Sequence, residues 1–83
     1  MEHLEPIWII DADYLHDYVM VLTFSNGERK NVDFEPLLHG KRKDELRNRR
    51  NFVRFALNDW TLEWYNGVDF APEALYERGV AVS

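Results

Sequence analysis

The chain has 83 residues, a net charge of −5 and no cysteine. This length predicts one domain with a thin hydrophobic core. The lack of cysteine excludes disulfides, a thiolate metal site and a thiol nucleophile. No apolar run approaches the ~20 residues that a membrane-spanning helix needs. Residues 1–5 lack the basic start of a signal peptide. We therefore expect a cytoplasmic protein that does not enter the membrane.

The basic residues are concentrated in one stretch of the acidic chain. Residues 41–54 hold seven of the ten Lys and Arg residues and two acids, a net charge of +5, whereas the remainder carries −10. Residues 41–51 contain no Pro, Gly or β-branched residue, which predicts a short, basic surface helix. The acidic remainder disfavours general binding to nucleic acid but leaves a local contact open.

The first half of the chain predicts three antiparallel strands in meander order. The first strand is residues 7–10, continuing more weakly to residue 13, and residues 14–17 turn the chain into a hairpin. The hairpin strands are residues 18–24 and 28–34, and the Asn26-Gly27 pair between them is a strong turn signal.

The buried face selects the register of this hairpin. A two-residue turn would place large apolar residues opposite polar ones. A three-residue loop, residues 25–27, instead pairs Met20 with Val32 and predicts a bulged turn with Gly27 at positive φ. The side chains then sharing one face are Tyr18, Met20, Leu22, Phe24, Val32 and Phe34.

The second half predicts a helical turn at residues 35–40, the basic helix, and strands at residues 52–57 and 60–65. A short helix then begins at Pro72 and stops at Gly79, and residues 80–83 form a tail. The expected fold class is α+β: a single domain, residues 1–83, with one mainly antiparallel sheet of about five strands in two layers. The predicted core is Trp8, Ile10, Met20, Leu22, Phe24, Phe34, Leu46, Phe52, Leu62, Trp64 and Leu75.

A short pattern occurs twice. Asn26-Gly27 is followed after four residues, and Asn66-Gly67 directly, by Val-Asp-Phe, one further residue and Pro, so the pattern is not a clean duplication. Asp33 and Asp69, the aspartates of this pattern, are predicted to accept backbone N–H groups where a strand turns into a helix. The alternative is that the two carboxylates form one functional site.

These motifs resemble a family of small bacterial proteins catalogued as domain of unknown function 2442. The resemblance is carried by residues 22–27, 32–38 and 64–76, although Tyr65 stands where the family pattern has Pro. It implies a small α+β domain without an established catalytic residue. Some members carry a DNA-binding helix-turn-helix after this domain. Many stand alone beside a gene for another small protein, which implies the antitoxin half of a toxin–antitoxin pair, and the length of this chain is similar to theirs.

No catalytic or metal-binding constellation emerges from the sequence. The histidines, His3, His16 and His39, lie at no metal-ligand spacing, and the aspartates near residue 13 lack the glycine and distal Glu of a calcium loop. Both serines sit at a turn or a terminus. We expect no enzyme activity and no cofactor, and a small hydrolase is the most distant alternative.

The expected function is therefore protein binding. Trp60, next to the Asn58-Asp59 turn, is the best candidate for an exposed anchor, because Trp is enriched in binding hot spots. The exposed edge of the sheet is a second candidate. Arg47, Arg49 and Arg50 are expected to adjust association electrostatically. The partner would be a protein, for example a toxin encoded next door, and a weak homodimer is also possible in this scheme. The alternative function is a transcriptional regulator that contacts nucleic acid through residues 41–54.

Overall fold

The computed structural model describes residues 6–82 of the chain. This part contains six antiparallel strands and two short α-helices, joined by turns and loops. The fold is α+β, as predicted. Residues 1–5, which include His3, and Ser83, the end of the predicted tail, lie outside the described residues. The strands are β1 (Ile9–His16), β2 (Val19–Phe24), β3 (Arg29–Asp33), β4 (Phe55–Leu57), β5 (Leu62–Trp64) and β6 (Val80–Ala81). The helices are α1 (Arg49–Phe52) and α2 (Pro72–Arg78), with 3-10 turns at Glu35–Leu37 and Lys43–Arg47.

The strands divide between two sheets rather than forming one. A four-stranded sheet has the order β1-β2-β3-β6, and β4 pairs only with β5. The β4–β5 hairpin approaches β1 through a backbone hydrogen bond from Ile9 N–H to the Trp60 carbonyl (3.0 Å). Further along β1 the Ala12 N–H is bound by the Asp11 carboxylate (2.9 Å), so it is not available to continue this pairing. The predicted tail is wrong, because Val80 and Ala81 pair with β3.

The predicted register of the central hairpin is confirmed. Met20 lies opposite Val32, and Gly27 has a φ of 91°. Phe24 N–H donates to the Glu28 carbonyl (2.9 Å), and Gly27 N–H donates to the Phe24 carbonyl (2.8 Å). The burial pattern agrees: Met20, Phe24 and Val32 are fully buried, as a face shared by the two strands requires.

Substitution of Gly27 tests the turn geometry. Gly27→Val should lower the free energy of unfolding by about 1–2 kcal/mol, because a β-branched residue is strained at positive φ. Space is not the cause, since a Cβ at this position meets no atom within 4 Å. Gly27→Asn is the matched control, because Asn tolerates the left-handed conformation. Urea unfolding should rank the parent first, Gly27→Asn next and Gly27→Val last; equal losses in both variants would contradict the geometric argument.

The second Asn-Gly pair forms the same turn. Gly67 N–H donates to the Trp64 carbonyl and Trp64 N–H to the Val68 carbonyl, both at 2.9 Å. Gly67 has a φ of 89°. The side-chain oxygen of Asn66 accepts from Val68 N–H (3.3 Å), as that of Asn26 accepts from Glu28 N–H (3.0 Å). Both repeats of the pattern therefore begin with one turn structure.

Each turn asparagine also binds a distant segment. Asn66 Nδ2 donates to the Arg42 carbonyl (3.0 Å) and to Glu45 (2.8 Å). Asn26 Nδ2 donates to the hydroxyl of Tyr76 on α2 (3.3 Å). That hydroxyl donates to Glu28 (2.8 Å), and the hydrogen bond to this carboxylate raises the pKa of Tyr76. The turns thus connect the hairpins to segments far along the chain.

The aspartates of the repeated pattern behave differently. Asp33 accepts from Glu35 N–H (3.0 Å) at the start of the 3-10 turn, as predicted. Asp69 forms a backbone bridge with Glu63 instead. The helix that follows, α2, begins after Ala71 without a side-chain cap, so the capping role predicted for Asp69 is wrong.

The basic segment is not one helix. A 3-10 turn ends at Arg47, and α1 starts again at Arg49. Asn48 separates them because its side-chain oxygen accepts from Arg50 N–H (3.0 Å), which is the hydrogen bond of a helix N-cap. Phe52, predicted to start a strand, ends α1 instead.

The core joins the two sheets through aromatic rings. Phe34, directly after β3, contacts the rings of Phe52, Trp64 and Phe70 with centroids 5.6–5.8 Å apart. The predicted core residues are buried except for Trp8 and Ile10, which are 37% and 52% exposed. The buried residues of the chain's start are Ile7 and Ile9, because successive side chains of an extended segment point to opposite faces.

Candidate functional site

Two tryptophans stack on each other at the surface. The rings of Trp8 and Trp60 have centroids 6.0 Å apart and an interplanar angle of 20°. Trp8 is 37% exposed and Trp60 is 42% exposed. The sequence placed Trp8 in the core and so missed this pair, because four successive apolar residues at 7–10 give no indication of which two face outward.

Asn58 fixes the loop that carries Trp60. Its side-chain oxygen accepts from the N–H groups of Trp60 and Thr61, both at 2.7 Å. The Thr61 hydroxyl donates to the Phe70 carbonyl (2.8 Å), which connects the loop to the segment before α2. An Asn that binds two following N–H groups is a local, sequence-encoded turn, so the loop has a defined shape.

Trp8 is held by the central hairpin. Its N–H donates to the Ser25 hydroxyl (3.2 Å), and its carbonyl accepts from Ser25 N–H (2.8 Å). Its neighbour Ile9 donates to the Trp60 carbonyl. The backbone on both sides of the stacked rings is thus fixed by hydrogen bonds, and the rings are presented on a preformed support.

Two further exposed apolar side chains lie close to these tryptophans along the chain, Ile10 two residues after Trp8 and Leu57 three residues before Trp60. Ile10 on β1 and Leu57 at the end of β4 are 52% and 40% exposed, and these two strands are in contact. We call the four residues Trp8, Ile10, Leu57 and Trp60 the tryptophan surface. An exposed cluster of large apolar side chains in so small a domain is typical of an interaction site.

Two of the three predicted basic site residues lie next to acidic side chains of the fold. Arg47 lies 3.7 Å from Glu35, and its carbonyl accepts a hydrogen bond from the Tyr18 hydroxyl. Arg49 lies 3.4 Å from Asp17. Arg50 is exposed, and its backbone N–H is bound by Asn48. Arg47 and Arg49 are therefore engaged in intramolecular contacts.

The structure does not bring Trp60 and these arginines together. Trp60 bonds to Ile9 at the start of β1, whereas Arg49 bonds to Asp17 just beyond its end. Eight steps of extended chain separate those two residues, about 25 Å at ~3.3 Å per residue. The two sets of predicted residues thus belong to opposite ends of the domain.

The edge of the four-stranded sheet at β1 is poorly suited to strand addition. The register of β1 shifts at two irregularities, near Ile9 and near His16. The carboxylate of Asp11 accepts from Ala12 N–H (2.9 Å), a backbone group that an added strand would need. Bulges and charged residues are the usual protection of an exposed edge. Of the two predicted contact modes, the geometry favours the aromatic one.

Residues 6–82 contain neither a metal-ligand cluster nor a membrane-spanning helix. No group of three or more His, Asp or Glu side chains in that range is arranged to hold a metal ion. None of the helices there is long and apolar enough to cross a bilayer.

The comparison with known families extends over nearly the whole described chain. The family model described as "Protein of unknown function (DUF2442)" matches residues 9–81. The chain belongs to this family. The DUF2442 match includes both Asn-Gly turns, Trp60 and the three arginines, and Trp8 lies one residue before it. No curated protein and no solved structure matches the chain.

Proposed function

We propose that this protein is a non-enzymatic binding module that recognises a partner protein through the tryptophan surface, as the antitoxin or regulatory half of a two-protein pair in the cytoplasm. The observation that supports this is the stacked, exposed pair of Trp8 and Trp60 on hydrogen-bonded backbone. Rigid aromatic side chains make good anchors because burying them removes much apolar area from water at a small cost in conformational entropy.

The alternative is a regulator that binds nucleic acid through the basic segment. Its support is the local charge of +5 in residues 41–54. The contacts of Arg47 and Arg49 with Glu35 and Asp17 weaken it, because paired guanidinium groups offer less net charge to a phosphate backbone.

Capture of the partner from the native host tests the proposal. Trp60→Ala should reduce the captured amount at least about tenfold, since truncating a hot-spot anchor costs 2 kcal/mol or more, roughly a factor of 30 in affinity. Tyr65→Ala is the matched control, because Tyr65 is 54% exposed and its ring contacts Arg54. The control should retain full capture, and circular dichroism should show both variants folded.

Binding of labelled duplex DNA to the protein tests the alternative function. On the proposal, DNA binding is weak and unaffected by reversing Arg47, Arg49 and Arg50 to Glu. Tight DNA binding with a steep salt slope that these reversals abolish, together with no captured protein, would establish the alternative.

A further inference from the structure

The two chain segments that carry the tryptophan surface contain acidic residues and no basic ones. Its four side chains come from residues 8–13 and 57–63, and these two segments contain Asp11, Asp13, Asp59 and Glu63 but no Lys, Arg or His. The rest of the charge is unevenly placed as well, since the basic residues concentrate in residues 41–54. We call these four acids the acidic rim; Asp59 precedes Trp60 directly, and Glu63 accepts from Asn58, the residue that fixes the Trp60 loop.

Within residues 6–82, no ion pair neutralises the charge of these four acids. Among the ion pairs of the described residues, the acids involved are Asp17 and Glu35, not those of the rim. The rim acids that have hydrogen bonds bind neutral groups. Asp11 accepts from Ala12 N–H, and Glu63 accepts from Asn58 Nδ2 (2.9 Å). Their charge remains available to a positively charged ligand.

The Lys and Arg side chains that contact aromatic rings in residues 6–82 lie over Tyr and Phe rings. Lys30 Nζ lies 3.6 Å from the ring centroid of Tyr76, Arg54 lies 5.1 Å from that of Tyr65, and Lys43 lies 5.3 Å from that of Phe70. Within residues 6–82, no such contact involves Trp8 or Trp60. Trp is the side chain with the strongest attraction for a cation over its face. Among the described residues, these two rings therefore have no cation on their faces.

We propose that the tryptophan surface binds an arginine or lysine side chain of the partner, seated on an exposed indole face and flanked by the carboxylates of the acidic rim. This inference rests on the proposed function and specifies its partner: a segment in which basic residues alternate with apolar ones. Guanidinium fits best because it is planar, weakly hydrated and stacks on aromatic rings. The apolar residues of the segment would contact Ile10 and Leu57.

The negative charge of the acidic rim also disfavours other ligands of the tryptophan surface. Single-stranded nucleic acid stacks its bases on aromatic side chains, but its phosphates would face four carboxylates. A second copy of the chain docking the same surface would bring the same carboxylates together. Nucleic acid and a second copy of the chain are therefore expected to bind less well than a basic peptide. Defined probes can distinguish these three ligands.

Three peptides and one oligonucleotide provide the test. The peptides are acetylated and amidated heptamers in which Leu alternates with Arg, with Gln or with Glu, and the oligonucleotide is a 15-residue oligothymidylate. Titrations are followed by the indole N–H signals of the ¹⁵N-labelled protein. The Arg peptide should bind about tenfold more tightly than the Gln peptide, while the Glu peptide and the oligonucleotide should not shift the Trp8 and Trp60 signals.

Three variants connect this preference to the surface. Trp60→Leu keeps an apolar side chain and the carboxylates but removes the ring, so the Arg peptide should lose affinity severalfold and its advantage over the Gln peptide should shrink. Asp59→Asn should weaken binding of the Arg peptide severalfold and leave that of the Gln peptide unchanged. Tyr65→Leu, the control, should behave like the parent in both titrations.

Several outcomes would overturn the inference. These are failure of the Arg peptide to bind, equal binding of the Arg and Gln peptides to the parent, stronger binding of the oligonucleotide, or self-association that involves the Trp8 and Trp60 signals. If the peptides fail while partner capture still requires Trp60, the inference falls and the proposed function stands. If partner capture does not require Trp60, the proposed function itself is wrong.

Discussion

Replacing Phe34 with alanine is expected to lower the free energy of unfolding by about 3–5 kcal/mol. Phe34 is fully buried, and its ring contacts Phe52, Trp64 and Phe70. It follows the last residue of β3, whereas Trp64 lies on β5, so its removal opens a cavity between the two sheets. Because a small domain has a total stability of about 5 kcal/mol, much of the Phe34→Ala protein should be unfolded at 25 °C.

The measurement is urea unfolding followed by far-UV circular dichroism. Tyr65→Ala is the matched aromatic control, since Tyr65 is more than half exposed and should change the midpoint little. A Phe34→Ala variant that unfolds at the parent's urea concentration would show that the two sheets are not held together by these rings.

Gly79→Ala should also destabilise the protein, by about 1–3 kcal/mol, for a reason different from that at Gly27. Gly79 has an ordinary φ of −74°, so no left-handed conformation is required. A Cβ here would lie 2.8 Å from Lys30 Cβ and 3.2 Å from Val32 Cγ2. Lys30 Cβ is fixed to the backbone of β3, so the end of α2 and β6 would have to move away from the sheet.

Amide hydrogen exchange can locate this effect. Gly79→Ala should increase exchange at Val82, whose N–H donates to the Arg29 carbonyl (3.1 Å), more than at the central hairpin. Glu77→Ala, an exposed change on the same helix, should leave exchange as in the parent. A Gly79→Ala variant with the stability and exchange of the parent would contradict the close approach of α2 and β3.

Local patterns predicted the hairpin well. The register followed from the alternation of apolar residues between Tyr18 and Phe34, because only one register buries one face. Gly27 at positive φ followed from the same argument. The exposed Trp60 was predicted from its place beside a turn, and the structure accounts for that turn through Asn58.

The predictions from sequence failed where the local composition was compatible with more than one structure. Residues 7–10 are all apolar, so their pattern could not assign the outward face that carries Trp8. Good helix formers in residues 41–51 predicted one helix, but the capping hydrogen bond of Asn48 interrupts it. The pairing of β6 with β3 depends on the close packing of Gly79 on Lys30, a contact between segments some fifty residues apart that no local pattern encodes.

The three tryptophans differ in exposure, and this difference allows one direct test of the central claim that the partner binds the tryptophan surface. Trp8 and Trp60 are exposed, whereas Trp64 is buried and its Nε1–H donates to the Phe52 carbonyl (2.7 Å). In a ¹⁵N spectrum these side chains give three indole signals. Addition of the captured partner should shift the Trp8 and Trp60 signals and leave that of Trp64 in place. Unchanged Trp8 and Trp60 signals, with shifts instead at the backbone amides of Arg47 to Arg50, would contradict the account.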